Sequence, residues 1–286
     1  MADESSKIPE KTVEQIFDER YPLDKWEDSK LLDTRQILMR GRKGFVTGAA
    51  GGLGRNAAAA LAQAGADVAL VDLPSQEDKL TELAKDMSER FGTNVIALTC
   101  DVTNVEQVAE LKTQLVEQLG TVDFAFLNAG VNVPGDDQDA TEEVWTRTIN
   151  INLNGTYRTG RIAHEIMREH GHGGSLIFTA SLSGHNANYM MGSPTPVNAY
   201  GATKAAIMEH SRYLAAALAK DGIRSNTISP GYVWSGIFNG RIDMPGHDAM
   251  LEVVPMHRFG TNDEIASTVL FLASDASSYV TGTDIA

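Results

Sequence analysis

Tyr200 and Lys204, in the run Tyr200-Gly201-Ala202-Thr203-Lys204, are the pair best suited to chemistry in this chain. Their spacing is about one turn of α-helix, so both side chains leave the same face. An ammonium beside a phenol favours the phenolate and lowers its pKa. The tyrosine then becomes a proton donor and acceptor usable near neutral pH. Taken alone, Tyr-x-x-x-Lys is a weak signal, and a buried tyrosine beside a solvated lysine is the plain alternative. It gains weight from a glycine-rich turn upstream, Thr47-Gly48-Ala49-Ala50-Gly51-Gly52-Leu53-Gly54, and from a serine-bearing strand end between the two.

The glycine turn follows a short apolar run and opens an alanine-rich one. That is the context a dinucleotide motif needs. Gly48, Gly52 and Gly54 would let a pyrophosphate approach the backbone, with Leu53 at the helix start where free N–H groups bind phosphate. The spacing is Gly-x-x-x-Gly-x-Gly rather than Gly-x-Gly-x-x-Gly. Asp72 ends the next apolar strand, 24 residues after Gly48. A carboxylate there accepts from ribose hydroxyls and repels a 2′-phosphate. No Lys or Arg lies between Gly48 and Gly54, and none follows Asp72 before Lys79, so NAD is expected over NADP. Arg55 is the residue that argues the other way. Asp101 follows the third strand, near the expected adenine, and Asn128-Ala129-Gly130 follows the fourth, all at the carboxyl edge where open α/β sheets bind ligands.

These residues need a scaffold, and the pattern from Lys43 onward supplies one. Strands are expected at 44–47, 68–72, 95–98, 122–127, 175–179 and 224–228. Helices are expected at 55–64, 77–90, 105–118, 142 to about 170 as a single element, 199–220 and 263–273. Strands separated by helices imply crossovers, hence a parallel α/β sheet with helices on both faces. Residues 1–40 are charged with scattered large apolar side chains and read as an N-terminal arm; residues 41–286 read as one catalytic domain. Ile285-Ala286 begins what reads as another strand, so part of the C-terminus is expected to be absent from this sequence.

The net charge of the 286 residues is −14 at neutral pH. Such a surface repels phosphate backbones, so nucleic acid is not an expected partner. A lone cysteine, Cys100, excludes an intrachain disulfide and suits a reducing, cytoplasmic setting. No secretory leader or membrane-spanning run is visible. His170 and His172 lack a third ligand, so no metal is expected.

Taken together, Thr47–Gly54, Asp101-Val102, Asn128-Ala129-Gly130, Asn152-Leu153-Asn154-Gly155, Ser181, Tyr200–Lys204 and Pro230-Gly231 resemble the short-chain dehydrogenase/reductase family, in its order and over roughly residues 41–286. The resemblance implies a Rossmann-type sheet of about seven parallel strands. It implies reversible hydride transfer between a nicotinamide and a carbonyl or alcohol. Tyr200 would be the acid/base, Lys204 would lower its pKa and bind the nicotinamide ribose, Ser181 would hold the substrate oxygen, and Asn152 would belong to a proton relay. Ser183 is a second candidate for the serine role. Val102 would join the adenine side, and Pro230, Gly231, Val233 and Ser235 the carboxamide side.

The segments Ser181–Asn188, Ile228–Val233 and Ala273–Tyr279 look like the mannitol, arabinitol and xylulose dehydrogenases of that family, which act on polyols and ketoses. His185 and Asn186 are then expected to touch sugar hydroxyls, with a bland loop role for His185 as the alternative. Trp234, Phe238, Met190 and Met191 argue instead for a bulkier apolar substrate. Ser181 and Tyr200 stand 19 residues apart, farther than in most members, and the extra length reads as an enlarged loop, Tyr189–Pro196, at the pocket rim. A nucleotide-binding regulator without turnover is the reading least compatible with an intact Asn152, Ser181, Tyr200 and Lys204 set. The small-residue helices around Asn152 and Tyr200 resemble those that form dimers and tetramers in the family, so a homo-oligomer is expected.

Overall fold

The computed structural model describes residues 34–188, 196–235 and 247–286. The chain divides into two units, Met1–Arg35 and Gln36–Ala286, and everything below concerns the second. Met39, which the sequence reading left in the arm, is buried in the core of this unit, its N–H donating to the Ala64 carbonyl at 2.9 Å.

Seven strands form one parallel sheet: β1 (Lys43–Thr47), β2 (Asp67–Asp72), β3 (Val95–Thr99), β4 (Phe124–Leu127), β5 (Gly174–Thr179), β6 (Ile223–Ile228) and β7 (Asp284–Ile285). Their order is β3-β2-β1-β4-β5-β6-β7. The chain leaves β1 toward one edge and returns to β4 on its other side, so the crevice at the ends of β1 and β4 is the topological switch point.

The helices are α1 (Gly52–Gln63), α2 (Glu77–Phe91), α3 (Val105–Leu119), α4 (Glu142–Ile149), α5 (Thr156–His170), α6 (Ala199–Leu218), α7 (His247–Val253) and α8 (Asn262–Ala273). Alternate strand residues enter opposite layers, as the pleat requires. Val46, Phe124 and Phe126 pack with Ala57, Leu61, Val269 and Leu272 of α1 and α8. Phe45, Ala125 and Leu127 pack with Leu111, Ile166 and Leu214 of α3, α5 and α6. Burial on both faces explains why the central strands read as unbroken apolar runs.

The long helical stretch expected from Glu142 to His170 runs without a break, but its middle is not α-helical. Between α4 and α5, Asn150–Gly155 forms a π-helical turn containing Asn152. The signal lies in tertiary bonds that periodicity does not carry: Asn152, with no exposed surface, accepts from the Val131 N–H and donates to the Val131 carbonyl, both at 2.8 Å.

Candidate active site

The glycine turn sits at the switch point. Gly48 takes a positive φ of 67°, and a Cβ on Gly54 would run into the Gly48 carbonyl. No side chain caps the start of α1, so its first N–H groups remain available to an anion. This bare, side-chain-free cradle suits the pyrophosphate of a dinucleotide. Ser235 closes over it from the far side, its carbonyl standing 2.5 Å from where a Gly52 Cβ would be. Pro230, Gly231, Val233 and Ser235 form that wall, tied back through the Trp234 N–H to the Gly260 carbonyl at 2.9 Å.

Asp72 accepts from the Ala50 N–H at 2.9 Å and the Leu73 N–H at 2.8 Å. Its carboxylate therefore lies directly beside the turn, where a ribose would meet it. Lys79, distant in sequence reasoning, returns to the same place, donating to the Ala50 carbonyl at 2.8 Å. Asp101 caps its own turn, accepting from the Thr103 N–H and hydroxyl at 2.9 and 2.7 Å. Val102 packs against Gly155. Asn128 acts as a brace: its amide nitrogen donates to the Thr47 carbonyl at 3.2 Å and its oxygen accepts from the Thr179 hydroxyl at 3.2 Å. Its side chain thus helps hold β1, β4 and β5 together beneath the turn.

Tyr200 opens α6 and Ser181 follows β5, and the Ser181 side chain is near enough to the phenol to favour its charged form. This contact favours Ser181 over Ser183 for the serine beside the phenol. Gly201 makes the approach possible, since a Cβ there would stand 2.9 Å from the Ser183 carbonyl. Lys204, 3% exposed, donates to the Thr179 carbonyl at 2.7 Å, with Nζ 5.4 Å from the Tyr200 ring centre. Gly130 lies between it and Asn152, a Cβ there standing 3.6 Å from Lys204 Nζ and 3.1 Å from Asn152 Oδ1.

Burial dominates the titration of both groups. Burial pushes the Tyr200 phenol above its usual pKa, opposed only by the Ser181 hydrogen bond. Burial also lowers Lys204 to about 8.

The pocket above Ser181 and Tyr200 is lined by Leu182, Ser183, Asn188 and Tyr232 as well as the wall at Pro230–Ser235. His185 and Asn186 do not line it. The turn Leu182–Gly184 carries them outward, and His185 Nε2 lies 2.7 Å from Asp284 Oδ2 on β7. Asp284 also accepts from the Ser229 hydroxyl at 2.8 Å and from Thr227. His185 therefore ties the serine turn to the sheet edge. Asn188 carries no local mark of a pocket role and Tyr232 was expected only within the carboxamide wall Pro230–Val233; each reaches the pocket through the path of its loop. The enlarged loop, Phe238, Met190 and Met191 lie outside the described residues, Pro196 excepted.

Among the described residues no helix is long and apolar enough to cross a membrane, and no three His, Cys, Asp or Glu side chains are grouped to hold a metal. His172 Nδ1 instead lies 3.4 Å from Asp123. Buried Cys100 is pushed up to about 12, which keeps it an unreactive thiol.

Comparison with known proteins agrees with this geometry. A family model described as enoyl-(acyl carrier protein) reductase matches residues 48–286. The sorbose reductase of Schizosaccharomyces pombe is 38% identical over 88% of this chain and 96% of its own. A probable NADP-dependent mannitol dehydrogenase of Yarrowia lipolytica is 36% identical over 87% of each. The crystal structure of a short-chain type dehydrogenase/reductase from Mycobacterium marinum superposes with a TM-score of 0.81 at 34% identity, covering 89% of this chain and 96% of that one.

Proposed function

The chain belongs to the short-chain dehydrogenase/reductase family, NAD(P)-dependent oxidoreductases of alcohols, and on that premise we propose that it interconverts a polyol and the corresponding ketose, using NAD. The carrying observation is the pocket over Ser181 and Tyr200. It offers more hydroxyl and amide groups, from Ser183, Asn188 and Tyr232, than a single alcohol needs. Similarity to a sorbose reductase and a mannitol dehydrogenase supports the same reading.

The nicotinamide, when bound, supplies or accepts the hydride; the glycine turn, Asp72 and the Pro230–Ser235 wall would hold the cofactor. Ser181 holds the substrate oxygen beside the Tyr200 phenol. Tyr200 gives its proton to that oxygen in reduction and takes it in oxidation. Lys204 presents an ammonium beneath the ring, and Asn152 fixes the Val131 backbone alongside.

NAD is proposed because the Asp72 carboxylate occupies the ribose side of the turn and would repel a 2′-phosphate. The Yarrowia relative carries NADP in its name, and Lys79 beside Ala50 is the cation that would serve that alternative. A homo-oligomer is proposed on the exposed Tyr157 of α5 and Tyr213 of α6, 47% and 67% accessible. Sedimentation of Tyr213→Arg as a monomer would support that interface.

The aromatic group Tyr232, Trp234 and Phe259, with ring centres 5.6 and 4.9 Å apart, supports a second reading, a bulkier apolar ketone. NADH formation on a panel of hexitols, pentitols, hydroxysteroids and aryl alcohols separates the two. Turnover confined to the last two groups would defeat the polyol reading.

A further inference from the structure

A continuous hydrogen-bond chain runs along one side of the pocket. The Tyr232 hydroxyl donates to Asn188 Oδ1 at 3.1 Å. Asn188 Nδ2 donates to the Ser183 hydroxyl at 3.0 Å. The Ser183 N–H donates to the Ser181 hydroxyl at 3.1 Å. The series thus leads away from Ser181 through the backbone and then the side chain of Ser183 to Asn188 and Tyr232.

Each link is held from outside the pocket. The Tyr232 ring stacks on buried Phe259 with planes 23° apart, which fixes its hydroxyl. Asn188 accepts from the Val197 N–H through its backbone carbonyl at 3.1 Å, so the amide stands at the base of the segment it precedes. Ser183 is 6% exposed, on the turn that Gly201 and Gly184 press against α6.

The groups also keep unused capacity. The Asn188 amide has a second N–H beyond the one given to Ser183, and the Tyr232 oxygen keeps lone pairs after donating its proton. Both residues line the pocket that Ser181 and Tyr200 also line, so its wall carries one more donor and one more acceptor. In a vicinal diol the second oxygen lies about one hydrogen-bond length from the first.

We propose that Asn188, held by Tyr232, is the specificity-determining residue for a hydroxyl on the carbon next to the reacting one, so that the enzyme selects vicinal diols and α-hydroxyketones over isolated alcohols and ketones. This deepens the polyol reading and rests on the same pocket. It is narrower in that it names the hydroxyl that is read, and broader in that it does not require a sugar.

The test uses carbon-matched substrates, 2,3-butanediol and 2-butanol, and reads the ratio of their kcat/KM values. The parent enzyme is expected to favour the diol. Asn188→Leu, similar in size and without polar atoms, is expected to lower that ratio about tenfold, the usual scale for one lost neutral hydrogen bond to a substrate hydroxyl. Tyr232→Phe, which keeps the stack on Phe259, is expected to lower it by a smaller factor and serves if Asn188→Leu does not fold. A damaged Ser181 would slow both substrates alike and leave the ratio unmoved. An unchanged ratio in both variants, or a parent with no preference for the diol, overturns the proposal. A parent that prefers the diol but turns over no hexitol or pentitol defeats the polyol–ketose reading and leaves this one standing.

Discussion

The carboxylate of Asp136 accepts from the backbone N–H of Tyr200 at 2.8 Å and from that of Ala199 at 2.7 Å. The catalytic helix thus receives its cap from the loop after β4. Asn198, the residue at its own N-cap position, makes no side-chain cap, and its amide instead donates to the Asp137 carbonyl at 3.2 Å. The same loop holds Val131, which is bonded to Asn152 on both sides. One loop therefore fixes the first residue of α6, the π turn and Gly130 together.

Asp136→Ala should lower kcat by tenfold or more while changing KM little, because displacement of a reacting group by even about 1 Å is costly. The variant should also lose roughly 1–2 kcal/mol of stability through the missing cap. Steady-state kinetics beside urea melts check this. A melt shift with kcat intact would leave Asp136 a purely structural cap.

Tyr200→Phe should cut turnover by about 10²–10⁴-fold, the scale of a missing general acid, while cofactor binding persists. Because burial raises the phenol's pKa, Tyr200 keeps its proton at neutral pH and is poised to donate. Oxidation needs the deprotonated form, so its kcat/KM should climb as pH rises. Reduction should fall as pH passes the phenol's pKa. Oxidation that falls with rising pH, or reduction that climbs, would contradict the assignment.

Lys204→Met should be inactive yet more stable than the parent at neutral pH. Burial brings the ammonium from 10.5 to about 8, a cost of roughly 3 kcal/mol to the folded state, part of which its bond to Thr179 offsets. Between about pH 8 and 10.5 the unfolded chain binds more protons than the folded one, so the parent gains stability as pH rises. The advantage of Lys204→Met should shrink across that window. Denaturant melts at pH 7 and above 10 read it directly.

Asp72→Ala should narrow the preference for NAD over NADP, read as the ratio of the two kcat/KM values. Equal ratios in parent and variant would remove Asp72 from cofactor choice and point to Lys79.

Much of the scaffold was legible. Apolar runs such as Phe124–Leu127 lie in a sheet buried on both faces, so their composition reports their place without long-range information. The glycine turn was legible for the same reason: Gly48 and Gly54 answer to backbone geometry a few residues away. The π turn at Asn152 was not, because its interactions are with Val131, 21 residues earlier.

The site divides the same way. Sequence by itself determined that Tyr200 and Lys204 share a helix face and that Ser181 and Asp72 end strands at one edge of a parallel sheet, since helix pitch is local and strands that alternate with helices pair in parallel. Only the tertiary structure decided where those side chains point. It turned the Lys204 ammonium to the Thr179 carbonyl and buried the Tyr200 phenol. It sent His185 out to Asp284 and brought Asn188 and Tyr232 into the pocket instead. It gave the catalytic helix a cap from Asp136, 64 residues before Tyr200. Hydrogen bonds and desolvation depend on which groups meet after the chain has folded, and neither spacing nor composition encodes that meeting.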